Sequence, residues 1–191
     1  MKFRLFYRGQ LKSNGGPKEK QELRRKFHLQ LKELWRQKPL NPEFLRYIEE
    51  PYISDFRSNK INIIKKAGSF SFVPIVCETF RTIADLDITF LRPEEPGSIL
   101  TKGGDIDNRI KTLLDGLRIP KINEIPPPPM DCPQDGENPF FCLLEDDALV
   151  THLSVTTDRL LEFNDLSEVV LLISVTVRVA QPLVHNIGLI G

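Results

Sequence analysis

Gly103-Gly104-Asp105-Ile106-Asp107-Asn108-Arg109-Ile110-Lys111 places two carboxylates, an amide and two cations within nine residues. The two glycines interrupt whatever precedes them. Asp105 is a favourable N-cap, because its side chain can accept the unpaired backbone N–H groups of a first helical turn. Beyond it, Ile106, Ile110, Leu113, Leu114 and Leu117 fall at offsets 0, 4, 7, 8 and 11. That spacing predicts a helix over 105–118 with one buried stripe. Asp107, Lys111 and Asp115 recur every fourth residue and are expected on a separate polar face, with Asp105 at its mouth. Asp105, Asp107 and Lys111 can then converge on one spot. The same acid–base spacing also serves merely to stabilise a surface helix.

A second acidic run, Glu145-Asp146-Asp147, is preceded by Leu143 and Leu144 and followed by Ala148-Leu149-Val150-Thr151-His152-Leu153-Ser154-Val155. The following run reads as a strand, which sets the acids at a strand mouth, where a side chain is held rigidly enough to ligate a metal. Gathered carboxylates repel one another, so a fold that collects them usually needs cations.

Asp105-Ile-Asp107-Asn108-Arg-Ile-Lys111, then Leu114-Asp115-Gly116-Leu117, then Asp146-Asp147-Ala148-Leu149-Val150 resemble the motifs of the RusA-type Holliday junction resolvases. The close resemblance covers residues 82–160. It implies an α+β fold, a mixed sheet with packed helices in a single domain spanning 1–191, and a metal-dependent endodeoxyribonuclease that nicks a four-way DNA junction in pairs. By the same resemblance Asp105, Asp107 and Asp147 bind Mg²⁺ (or Mn²⁺), with Asp146 a further candidate. Lys111 is then the catalytic cation beside them, and the working unit is a homodimer. A two-fold pair suits symmetric cutting of two opposing strands. No nucleotide cofactor is implied.

The chain departs from that family in two places. The connection from Arg118 to Cys142 is long and carries Pro120, Pro126 to Pro129, Pro133 and Pro139, so 119–141 is expected to be a proline-stiffened loop. It reads as a surface insertion, or else as a lid or substrate contact. Residues 38–66 exceed a compact family member.

Net charge is zero, yet residues 1–66 hold 17 Lys and Arg against 7 Asp and Glu, and the remaining 125 residues hold 9 against 19. A basic N-terminal part and an acidic remainder suit a protein that neutralises phosphates and also carries metal ligands. A basic helix over 17–37 opens on Pro17 and has an apolar stripe of Leu23, Phe27, Leu31 and Leu34, with Trp35 at its edge. Lys20, Arg24 and Arg25 are expected phosphate contacts, joined by Lys102 and Arg109 beside the acidic motif. His28 reads as a surface or packing residue.

Strands are predicted near 2–8, 60–66, 71–76, 82–91, 148–157 and 168–179, and a further helix near 42–49. Asp85 and Asp87 form a second D-x-D, but strand alternation sets both on one face, as solvated residues. Val169 to Val179 is apolar on both faces and reads as a central strand. Cys77, Cys132 and Cys142 are odd in number and lack paired spacing, which points to neither a disulfide framework nor a zinc site. No apolar run reaches membrane-spanning length and the N-terminus lacks a signal-peptide pattern, so a cytoplasmic protein is expected. Rival readings are a non-catalytic DNA-binding relative, a nuclease acting on forks, flaps or RNA, and a D-x-D sugar-nucleotide transferase. The last lacks a glycine-rich phosphate loop ahead of a helix.

Overall fold

Alternation in Lys2–Gln10 (β1) turns Leu5 into the interior and Arg4, Phe6 and Arg8 outward. In the computed structural model, which describes residues 1–49, 52–53, 60–95 and 106–189, this strand pairs antiparallel along its whole length with Glu168–Val179 (β9). β9 in turn pairs antiparallel with Thr82–Arg92 (β6), and β6 pairs parallel with Val150–Arg159 (β8), with a bulge between Ala84 and Asp85. The sheet order is β1-β9-β6-β8, so β9 is an inner strand, as its apolar run predicts. One face of β9 is nevertheless open: Leu172 and Arg178 are exposed.

A second, three-stranded sheet joins Lys65–Ala67 (β4), Phe70–Val76 (β5) and Phe140–Leu144 (β7), with β5 and β7 parallel. Tyr52–Ile53 (β2) and Lys60–Ile61 (β3) form a small separate ladder. The expected strand over 60–66 is therefore divided between β3 and β4. The helix expected near 42–49 shortens to Arg46–Glu49 (α2) after turns that contain Pro39 and Pro42, whose rings cannot continue a helix. β7 corrects the loop reading of 119–141, because that strand begins at Phe140 and all five of its residues are buried.

Pro17–Leu34 (α1) starts on a proline at its first position, and the Glu19 carboxylate accepts the Gly16 N–H at 3.1 Å. Leu23, Phe27, Leu31 and Trp35 are fully buried. Each such side chain contributes about 1.5–3 kcal/mol by leaving water. Ile106–Leu117 (α3) buries Ile110, Leu113 and Leu117 against the same core, together with Leu86, Ile88 and Phe90 of β6 and Leu171, Ile173 and Val175 of β9. Phe70, Phe72, Phe140 and Cys142 make a smaller cluster on the second sheet.

α1 and α3 meet at Gly116, where a Cβ would lie 2.5 Å from Leu23 Cδ2 and 3.1 Å from Leu23 Cβ. Leu23 is held from its root, so Gly116→Ala is expected to push the helices apart. The expected loss is about 1–3 kcal/mol, read as a lower urea midpoint at unchanged slope. An unshifted midpoint would show that α1 can move aside freely. No helix among the described residues is long and apolar enough to cross a membrane.

Candidate functional site

Asp107 and Lys111 lie one turn apart on the exposed side of α3, the disposition expected from their spacing. Both line a cavity of about 460 Å³ between α3 and the inner side of β8. Its floor is apolar: Ile106, Ile110 and Leu114 from the helix, Leu153 and Val155 from the strand. β8 is an edge strand, and Leu153 on it is exposed. Asp105 and Lys102 lie outside the described residues.

Asp115 departs from the expected pattern. It belongs to the same every-fourth-residue series but is buried, because the helix dips there beneath α1. Its carboxylate pairs with Lys20 Nζ at 2.8 Å and with the Arg118 guanidinium. Arg118, 3% exposed at its side chain, also reaches Glu124 at 2.8 Å, and Lys20 lies 3.4 Å from the same acid. Arg24 is buried beside them, donating to the Arg118 carbonyl at 3.0 Å and the Asp115 carbonyl at 2.7 Å. Burial pushes the Arg24 guanidinium down to about 10, while the charges of Glu124 and Asp115 act the other way. Burial alone would raise Glu124. The hydrogen bond from Arg118, the Lys121 N–H and the charges of Arg118 and Lys20 outweigh it and hold Glu124 at about 2.

The acidic run at 145–147 is divided among three tasks. Glu145 accepts the Glu78 N–H at 3.0 Å and pairs with Lys65 at 2.8 Å, which fastens the end of β7 to β5 and β4. Asp146 caps a short 3-10 turn, Asp147–Leu149, accepting the Ala148 N–H at 2.9 Å; that bond, against some burial, holds its carboxyl below the usual range. Asp147 is partly exposed, 3.8 Å from Arg118 Nε.

This fixes Asp147 at the C-terminal end of α3. Asp107 sits ten residues upstream of Leu117, the last residue of that helix, roughly 15 Å along the axis at 1.5 Å per residue. Among the described residues no three His, Cys, Asp or Glu side chains gather as a metal centre. One of the three expected ligands, Asp105, lies outside the described residues. What remains at the cavity is Asp107 with Lys111. An exposed carboxylate is chemically suited to Mg²⁺, which commonly takes one or two carboxylates and completes its shell with water and substrate phosphate.

The cations of the basic helix have partners within the chain. Lys20 and Arg24 are consumed by the buried network just described. Arg25 pairs with Glu137 at 2.9 Å and donates to the Cys132 carbonyl at 3.1 Å. Lys32 donates to the Gly136 carbonyl at 2.7 Å. His28 is buried against Phe140 and Phe141, accepts the Phe141 N–H at Nδ1 at 2.9 Å, and is lowered by burial. These residues tie the proline-rich segment onto α1. Arg109 donates to the Leu11 carbonyl and is half-buried. The missed signal was pairing across distance: Glu124 and Glu137 in the proline-rich segment answer Lys20 and Arg25.

The second D-x-D stands on the open sheet face. Asp85 pairs with Arg178 at 2.7 Å, and Asp87 accepts the Ser154 hydroxyl at 2.5 Å with His152 3.4 Å away. Cys77 and Cys142 are buried thiols and Cys132 is exposed and free.

Comparison of the chain with protein-family models, curated proteins and solved structures finds no match.

Proposed function

We propose that the chain is a metal-dependent endodeoxyribonuclease of RusA type that cuts branched DNA, with the four-way junction as its substrate. The observation that carries this reading is Asp107 and Lys111, side by side on the first two turns of α3, open to a cavity wide enough for a nucleotide. Asp107, with Asp105 at the helix mouth, would hold Mg²⁺, and a bound Mg²⁺ would supply Lewis-acid stabilisation of charge on the phosphate. Lys111 is a compact cation that places a phosphate oxygen at the cavity rim and offsets its negative charge. The apolar floor excludes water from one side of that contact, which strengthens it. Paired nicking calls for a two-fold homodimer, and a cytoplasmic location belongs to the same proposal.

One observation favours a second reading, a DNA-binding relative without cleavage: Asp147 lies beside Arg118, just past the last residue of α3, whereas Asp107 lies in its first turn. A single experiment separates the two. Purified protein is incubated with a synthetic four-way junction and with matched linear duplex, in Mg²⁺ and in EDTA. Paired symmetric nicks on the junction in Mg²⁺ alone are the expected result. Binding without nicks at any Mg²⁺ or Mn²⁺ concentration selects the second reading. Mg²⁺-dependent cutting of flaps or forks in preference keeps the chemistry and changes the substrate.

A further inference from the structure

β1 is an edge strand of nine residues in unbroken register with β9. Such an edge is a template for another strand, and proteins usually blunt it with charge, proline or a bulge. Here the edge meets a side-chain amide. Gln30 of α1 accepts the Phe6 N–H at Oε1, 2.9 Å, and donates from Nε2 to the Phe6 carbonyl, 2.7 Å. A primary amide that takes both backbone groups of one residue reproduces the pairing a residue of a neighbouring strand would make. In an antiparallel ladder the backbone groups of alternate residues point the same way, so those of Arg4 and Arg8 also face this edge. At the end of the strand the Tyr7 hydroxyl donates to the Gln10 carbonyl at 2.7 Å.

Two clefts flank the Gln30 contact, both between β1 and α1. One, about 270 Å³, is lined by Tyr7, Leu11 and Leu23 with Lys18, Glu22 and Lys26 at its rim; the other, about 200 Å³, is lined by Phe3, Leu5 and Leu34. Alternate side chains of an added strand would point into these clefts, the arrangement by which strand addition gains selectivity. The remaining side chains would lie over Lys2 and Arg4 on the open face, beside Arg8, which is already paired with Glu168 at 2.8 Å. Glu19, the acid nearest Lys12, is already bonded to it at 2.7 Å. A second copy of β1 is a poor occupant, since antiparallel pairing about Phe6 would oppose Arg4 to Arg8 twice over. β8 of another copy would make a head-to-tail contact, which builds rings or filaments and not the two-fold pair.

We infer that the outer edge of β1 is a strand-addition site for an extended peptide segment alternating apolar and acidic residues, which Gln30 occupies in the free protein. The inference is independent of the nuclease reading. An incoming strand must displace the Gln30 amide before it can bond Phe6, so Gln30 lowers affinity without abolishing it.

The test uses isothermal titration of the full chain with a synthetic peptide of about eight residues alternating Val and Glu. Gln30→Ala is expected to bind it about fivefold to tenfold more tightly than the wild type, the weight of a two-bond amide contact. N-methylating alternate peptide amides in one register should remove binding, and in the other register leave it intact, because only one set faces β1. A Val–Lys peptide should bind at least tenfold more weakly. Gln30 is half-exposed on a helix and Ala favours helix, so the variant retains its fold. Equal affinity for the two proteins, no binding to either, or indifference to N-methylation in both registers would overturn the inference.

Discussion

Asp107→Asn is expected to lower Mg²⁺-dependent cleavage of a four-way junction by on the order of 10²–10³-fold, with junction affinity unchanged or tighter. The magnitude is that of removing one preorganised electrostatic group from a site where charge develops. Asn is nearly isosteric, so the cavity between α3 and β8 keeps its shape while the carboxylate charge is lost. The sign of the binding effect follows from the phosphate: it meets one less negative charge next to Lys111. Lys111→Met acts in the opposite direction on binding, which weakens, and in the same direction on cleavage. The pair of variants therefore separates ligation from phosphate contact. Gel-shift and single-turnover nicking on one preparation measure both. If Asp107→Asn lost affinity and cleavage together, with a lower unfolding midpoint, Asp107 would be a helix-start residue and the proposed site would fail.

Arg118→Met should cost about 3–5 kcal/mol of stability, the usual consequence of removing one partner from a buried ion pair. Arg118 answers Asp115 and Glu124 together, and its removal leaves both acids to Lys20. Urea unfolding followed by circular dichroism measures the loss. Adding Asp115→Asn to the Arg118 variant should recover part of it, since the uncompensated charge is then gone, and the two effects are non-additive for residues in contact. Acid titration gives a second reading of the same network. Glu124 in the folded chain sits at about 2, below its ordinary 4.5. A depressed carboxyl contributes its full stability above the ordinary value and loses it as pH falls through the folded one, so the wild type should lose stability between about pH 4.5 and 2. Without Arg118 that acid slope should flatten. A variant as stable as the wild type at neutral pH would show that the network contributes nothing net.

Regular elements were legible wherever one periodicity ran unbroken. β1, α1, β5, β6, β8, β9 and α3 fall within a few residues of the spans that alternation or the three-to-four spacing predicts. β7 was hidden because Phe140-Phe141-Cys142 follows Pro139 and was absorbed into the proline-rich reading, although five consecutive apolar residues suffice for a buried strand. The polar face of α3 was legible for Asp107 and Lys111 and misleading for Asp115. Local spacing cannot report that Lys20 and Arg118 close over the third member of the series. The same limit explains the basic helix. Composition counts Arg24 and Arg25 as free cations, whereas their partners, the carbonyls of Asp115 and Arg118 and the carboxylate of Glu137, lie about a hundred residues away in sequence.

The position of β9 governs the order in which the chain can be built. β1 gains its ladder only from β9, with paired side chains such as Arg8 and Glu168 separated by 160 positions. β6, the other neighbour of β9, is likewise without that partner until the same strand is synthesised. At ribosomal rates of about 5–20 residues per second, the first strand therefore emerges on the order of ten seconds or more before the last. During that interval α1 can form on its own hydrogen bonds, and its Gln30 amide can already pair with the Phe6 backbone. A nascent chain held at α3 should accordingly bind chaperone through Leu5, Phe6 and Tyr7, and release it only when the central strand arrives to complete the sheet.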